Sequence, residues 1–358
     1  MLFQNALLHN VLDTAEGDIS TVIAPDAMET FKAYSQRHKV SEEIADRGLW
    51  LSRLPNEVRL KLNYLGQFQA LRTSGVELRF NQSPDEEVVI RVNNPLAPAL
   101  VEVWQGCFMQ PSRYPLPVGD SEISVKPEGC LGLLAKVTAE RNLPFDSRLM
   151  RVVLPWNQPI RLLGIKGNIE PPRDEQVKAP RYLAYGSSIT HGASTTRPTG
   201  SWASRTAQLL GADLINLGLA GSCHLEKEMA DHIAERSDWD FCTLEMGINI
   251  GGIGNEEFTR RVRNLIRTVA HAHPDKWIFC IDVFTCQSDL NGECRFSDFR
   301  RIVAEEVASL KMPKLVHLSG LDILTDPCGL SIDCLHPAPG GMEDMARNLA
   351  ALIRKHRG

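Results

Sequence analysis

Residues 181–192 read RYLAYGSSITHG: an apolar stretch stops at a glycine, two serines stand side by side, and a second glycine follows. The run lacks polar alternation, which fits a strand buried on both faces, and Gly-Ser-Ser fits the turn leading from such a strand into a helix. The same texture recurs in DLINLG (213–218), WDFCTLEMG (239–247), WIFCIDVF (277–284) and KLVHLSG (314–320). Amphipathic segments begin near Trp202, Leu225, Glu256, Phe296 and Gly341. Five such alternations predict a mostly parallel sheet with helices on both faces, whose ligands bind outside the carboxyl ends of the strands.

Upstream the texture differs. Residues 75–170 hold short β-rich runs (VELRF, EEVVIRV, ALVEVW, EISVK, RLMRVVLPW, IRLLGIKG) separated by turn clusters such as NQSPDE, NNPLAP and PLPVGD. That spacing predicts a β-sandwich with Greek-key connections. Within the first 50 residues, DAMETFKAY and SEEIADRG read as short helices packing on it. GNIEPPRDEQVKAP, with Pro171, Pro172 and a charged stretch, reads as a linker. A chain of 358 residues is too long for one growing core, and it divides here into 1–177 and 178–358.

Composition excludes several classes of function. With 43% hydrophobic and 23% charged residues and a formal net charge of -5, this is an ordinary soluble globular chain. Its 39 Lys and Arg are scattered and outnumbered by 44 Asp and Glu, so no nucleic-acid partner is expected. The start, MLFQNALLHNVLDTAEGD, has no basic n-region and does not read as a secretory signal. No apolar run approaches the roughly 18 residues that a membrane span needs. Of nine cysteines, Cys223, Cys242, Cys280 and Cys334 lie in or beside apolar runs, which favours reduced, buried thiols and a cytoplasmic setting. Cys286, Cys294, Cys328 and Cys334 show no CxxC or HxxxH spacing, so structural zinc is not expected.

Reactive residue types stand where the strands end. After the first strand come Ser187 and Ser188; after the second, Gly221; after the third, Asn249; before the last helix, Asp333 and His336. A serine hydroxyl is a poor nucleophile unless a neighbouring base removes its proton, and His336 is the candidate base. Asp333, three residues earlier, can reach the imidazole Nδ1, hold its tautomer and stabilise the transient cation. A developing oxyanion needs preorganised donors, which the Gly221 N–H, the Asn249 amide and the Ser188 N–H can supply.

In this order the blocks resemble the SGNH, or GDSL-type, hydrolase superfamily, over about residues 180–358. The resemblance makes Ser188 the nucleophile, with Ser187 in the place of the usual aspartate. It makes Ser188, Gly221 and Asn249 the oxyanion hole, and Asp333 and His336 the D-x-x-H pair. Gly-Ser-Ser-Ile departs from Gly-Asp-Ser-Leu, and Ile250 stands where many members carry Asp. YGSSITHG, NLGLAGSCHLE and LEMGINI look like a subgroup with a preceding β-sandwich, which includes carbohydrate esterases and a polyketide-tailoring acyltransferase.

The resemblance implies a flavodoxin-like three-layer α/β/α domain with strand order 2-1-3-4-5, preceded by a jelly-roll-like β-sandwich. It implies a serine esterase acting on short acyl esters, such as O-acetyl groups of a carbohydrate or other small polar molecule, with no cofactor and no metal. An acyltransferase and an inactive carbohydrate-binding protein are the alternatives. An ordinary α/β-hydrolase is excluded because no G-x-S-x-G elbow is present. GINIGGIGN (247–255) lacks Gly-Lys-Ser/Thr and reads as a wall of the acyl pocket, not a phosphate loop. PAPGGM (337–342) reads as the turn that presents His336, and His271 and His273 as a solvent-facing helix end. Trp202 reads as packing on the sheet more than lining the cleft, and His191 either touches substrate or has no role.

Overall fold

The computed structural model describes residues 1–17, 19–24, 48–111 and 114–358. DAMETFKAY, and SEEIADRG up to its final glycine, lie outside them. Two compact units result: Met1–Leu60 with Gln67–Ala179 and Arg197–Thr199, and Lys61–Gly66 with Pro180–Thr196 and Gly200–Gly358. Both short exchanges have a bonding reason. Thr199 donates to the Glu102 carboxylate at 2.7 Å in the first unit, and Asn63 donates to the Ser222 carbonyl at 3.0 Å in the second.

The first unit is a β-sandwich of two antiparallel sheets. One runs Leu2–Phe3, Ala6–His9, Glu77–Gln82, Met150–Val153, Ala99–Gln105, Phe108–Met109; the other Gly119–Val125, Val88–Asn94, Arg161–Lys166, Leu49–Ser52, Asp13–Ala15. The long strands from Glu77 to Lys166 alternate between the two sheets. Side chains two apart share a face, so Leu78, Phe80, Val101, Val103 and Val152 of one sheet meet Val88, Ile90, Val92, Ile123 and Leu162 of the other in one core. The β-rich runs read from sequence all appear. A helix at Leu131–Glu140 within this region was not anticipated; it buries no residue, so no core-facing stripe marked it in the sequence.

The second unit holds five parallel strands: β1 (Arg181–Gly186), β2 (Asp213–Gly218), β3 (Phe241–Glu245), β4 (Trp277–Ile281) and β5 (Leu315–Leu318). Their order is β2-β1-β3-β4-β5, as the resemblance implied. The main helices are α1 (Trp202–Leu210), α2 (Lys227–Glu235), α3 (Asn255–Ala272), α4 (Ser297–Leu310) and α5 (Pro339–Arg357). Met342, Met345, Ala346, Leu349 and Ile353 repeat at helical spacing and bury one face of α5, with Trp202 of α1, against Tyr182, Ala184, Phe241 and Phe279 of the sheet. Each such Leu or Ile stabilises by about 1.5–3 kcal/mol before conformational entropy is charged against it. Trp202 is fully buried and edge-on to Phe284, so it is a sheet-packing residue.

Among the described residues no helix is long and apolar enough to cross a membrane. Cys223, Cys242 and Cys280 are buried, but Cys334 is only half-buried, because it occupies a left-handed turn with φ 51° at the surface. His271 faces solvent as read, whereas His273 does not simply do so. Its Nε2 pairs with the Ala234 carbonyl at 2.8 Å and its ring packs on Trp239.

Candidate active site

β1 ends at Gly186, and a one-turn helix, Ser188–His191, begins two residues later. Ser187 caps it: its hydroxyl accepts the Ile189 N–H at 3.2 Å. The two adjacent serines therefore have different tasks, since capping engages the Ser187 side chain and leaves Ser188 Oγ directed elsewhere. Ser188 Oγ lies 2.8 Å from His336 Nε2, and His336 Nδ1 lies 2.7 Å from Asp333 Oδ2. A carboxylate partner assigns the proton to Nδ1, leaving Nε2 as acceptor for the Ser188 hydroxyl.

The turn around Ser188 is bonded to both neighbouring strands. Glu245, buried at the end of β3, accepts the Ser187 N–H at 2.6 Å and the Thr190 hydroxyl at 2.8 Å. Burial pushes the Glu245 carboxyl up, and the hydrogen bonds from Ser187 and Thr190 pull against that. Gly186 has no alternative: a Cβ there would lie 2.3 Å from both Glu245 Oε2 and Thr190 Oγ1. On the β2 side, Asn216 donates to the Thr190 carbonyl at 3.0 Å and His191 Nδ1 pairs with the Gly218 carbonyl at 2.8 Å. His191 is fully buried, so neither reading from sequence describes it: it is a structural tie between the Ser188 turn and the end of β2.

Gly221 occupies a tight turn with φ 68°, closed by Ser222 N–H on the Leu219 carbonyl at 3.0 Å. Asn249 lies in a one-turn 3₁₀ helix after Gly247, whose φ of 117° favours glycine. The Cys223 N–H donates to Asn249 Oδ1 at 3.1 Å. A backbone donor demands an oxygen, so this bond fixes the amide and turns its NH₂ away from Cys223. The Ser188 N–H, at the first position of its helix, has no intrahelical acceptor.

Asp333 and His336 come from a self-bonded loop before α5. The Ser331 N–H meets the His336 carbonyl at 2.8 Å, and the Ala338 N–H meets the Gly329 carbonyl at 2.8 Å. Asp333 Oδ1 accepts from Ser331 Oγ, Leu335 N and His336 N at 2.7, 3.0 and 2.9 Å. Desolvation works against its charge, but His336 and these donors hold the carboxyl well below the usual range. PAPGGM does set this turn: Pro339 opens α5, and Gly341 lets α5 approach Gly329, whose carbonyl oxygen would be 2.1 Å from a Cβ. Among the described residues no cluster of three or more His, Cys, Asp or Glu could hold a metal.

Glu245 was missed in the sequence. Its only signal is an acid at the last position of the otherwise uncharged strand FCTLE. A serine hydroxyl hydrogen-bonded to an imidazole that a carboxylate orients is an arrangement that can carry acyl transfer.

Residues 180–354 match the GDSL-like lipase/acylhydrolase family. No curated protein matches the chain. Among solved structures it resembles the salicylyl-acyltransferase SsfX3 of a tetracycline biosynthetic pathway, with TM-score 0.70 and 22% identity over 87% of this chain and 93% of that one. It also resembles a protein from Bacteroides ovatus described as a GDSL-like lipase, with TM-score 0.67 and 19% identity over 86% and 91% of the two chains. A family two carbohydrate esterase from Clostridium thermocellum, solved with cellohexaose, gives TM-score 0.55 and 16% identity over 79% and 92%. Likenesses at this identity concern the fold.

Proposed function

Starting from a domain, residues 180–354, that belongs to the GDSL-like lipase/acylhydrolase family, we propose that the protein is a serine esterase for short acyl esters of a carbohydrate or other small polar molecule. The observation that carries this reading is the continuous chain Ser188 Oγ, His336, Asp333, with separations of 2.8 and 2.7 Å. His336 Nε2 takes the Ser188 proton as Oγ attacks the ester carbonyl, and Asp333 stabilises the imidazolium. The oxyanion is held by the Ser188 and Gly221 N–H groups and the Asn249 amide. Collapse of the tetrahedral intermediate breaks the bond to the alcohol, which leaves with the proton from Nε2. Water, deprotonated by the same nitrogen, then releases the acyl group from Ser188.

The small-polar-alcohol part draws on the named function of the fold relative from Clostridium thermocellum. The fold likeness to a salicylyl-acyltransferase motivates a second reading, in which an alcohol replaces water in the last step. Partition of product between free acid and a new ester, with acceptor alcohol present, separates the two.

The test is hydrolysis of p-nitrophenyl acetate by the wild type, Ser188→Ala and Ser187→Ala. Ser188→Ala is expected to lose roughly 10³-fold or more, His336→Ala a comparable amount. Ser187→Ala removes a helix cap and is expected to cost about 1 kcal/mol of stability while retaining turnover. Full rates in Ser188→Ala, or in both Asp333→Asn and His336→Ala, would sink the assignment and make saccharide binding without catalysis the function to pursue.

A further inference from the structure

The segment Lys61–Gly66 packs in the parallel-sheet unit on the loop that carries Gly221. Asn63 is the clamp. Its Nδ2 donates to the Ser222 carbonyl at 3.0 Å and to the Glu226 carboxylate, and its Oδ1 accepts the Gly66 N–H at 3.0 Å. Glu226 also accepts the His224 N–H at 3.2 Å, so one amide ties the segment to both ends of the stretch 222–226. This places Leu65. A Cβ built on Gly221 would lie 3.1 Å from Leu65 Cδ2, so a Leu65 methyl rests against the face of Gly221 from which a side chain would rise.

We propose that Leu65, held by Asn63, is the acyl-side wall of the site and restricts the acyl group to short chains. The proposal rests on the Ser188 esterase reading. In that chemistry the leaving alcohol must lie within reach of His336 Nε2, which protonates it, and the oxyanion must lie at the Gly221 N–H. The third substituent of the carbonyl carbon is the acyl chain. With the alcohol held to His336 and the oxyanion to the Gly221 N–H, the acyl chain is the substituent left to meet a side chain set against Gly221. Leu65 is half-buried, branched and without hydrogen-bonding groups, which suits an apolar stop for a methyl or ethyl group. Asn63 is a positioning residue acting through Leu65 and the Gly221 loop.

The test compares kcat/KM for p-nitrophenyl hexanoate and p-nitrophenyl acetate in the wild type, Leu65→Ala and Leu65→Phe, with Ser188→Ala as control. Leu65→Ala is expected to raise the hexanoate-to-acetate ratio about tenfold, and Leu65→Phe to lower it, since one methylene in an apolar pocket discriminates by roughly 10–200-fold. Both esters are read on one preparation, so the folded fraction cancels and partial misfolding cannot mimic opposite shifts. A ratio within about twofold of wild type in both variants, with Ser188→Ala inactive, overturns the role of Leu65 and leaves the esterase reading standing. Undiminished turnover by Ser188→Ala overturns the esterase reading, and the acyl wall falls with it.

Discussion

Ser188 sits in a turn whose neighbours Ser187, Thr190 and His191 are buried and bonded to β2 and β3, whereas His336 comes from a loop bonded mainly within itself and partly open to solvent. The serine side is located by Glu245, Asn216 and Gly218, residues distant in sequence. The histidine side is located by Asp333, Ser331 and Gly329, residues within a few positions. One side of the pair is therefore a product of the whole sheet, and the other of a short hairpin anchored to α5. Damage to the first should spread to stability, while damage to the second should stay in the chemistry.

The largest expected effect that sharpens this contrast is on the sheet side. Asn249→Ala removes a proposed oxyanion donor and should lower kcat by about 10²–10³-fold, with a smaller change in KM, in steady-state kinetics. An unchanged kcat would remove Asn249 from the site. Next is Glu245→Ala, which leaves the Ser187 N–H and the Thr190 hydroxyl buried without their acceptor. Urea unfolding should show a loss of about 1–3 kcal/mol. If the protein kept its full stability, the serine side would not depend on β3 in the way described.

Glu245→Gln gives a finer test through pH. The folded-state carboxyl is raised, by burial, above an unfolded value of about 4.3, so the native state holds this proton more tightly than the unfolded chain does. The stability of the wild type relative to Glu245→Gln should therefore fall as pH rises from about 4.3 through the folded value, then level off. A difference that is flat with pH, or that grows with rising pH, would contradict the assigned burial. The smallest effect belongs to the histidine side. Ile332, fully exposed beside Asp333, should become Ser with a change within about 0.5 kcal/mol in the same unfolding measurement. A large loss there would show that the hairpin is not self-contained.

Much of this architecture could be read from the chain because it depends on local periodicity. RYLAYG and DLINLG are strands over the very residues that the apolar runs mark, and the helices α1 to α5 of the parallel-sheet unit start within two residues of the expected positions. A sheet buried on both faces writes itself as uninterrupted apolar runs, and reactive residue types just past those runs lie at one end of the sheet by topology. That argument brought the Ser187–Ser188 pair, Gly221, Asn249, Asp333 and His336 forward without any knowledge of their distances.

Residues whose meaning comes from contacts across long stretches of chain were not legible in this way. Glu245 beneath the Ser188 turn, His191 on the Gly218 carbonyl, and Asn63 and Leu65 on the Gly221 loop have no periodic or spacing signal. Gly-Ser-Ser likewise contains two equivalent hydroxyls in sequence, and the family resemblance alone chose between them. In three dimensions one hydroxyl closes on Ile189 as a helix cap and the other meets His336, because a strand-to-helix turn points consecutive side chains in different directions. Local pattern dictates which elements form and in what order; which side chains meet is decided by how those elements pack, since hydrogen bonds and close approaches depend on distance in space.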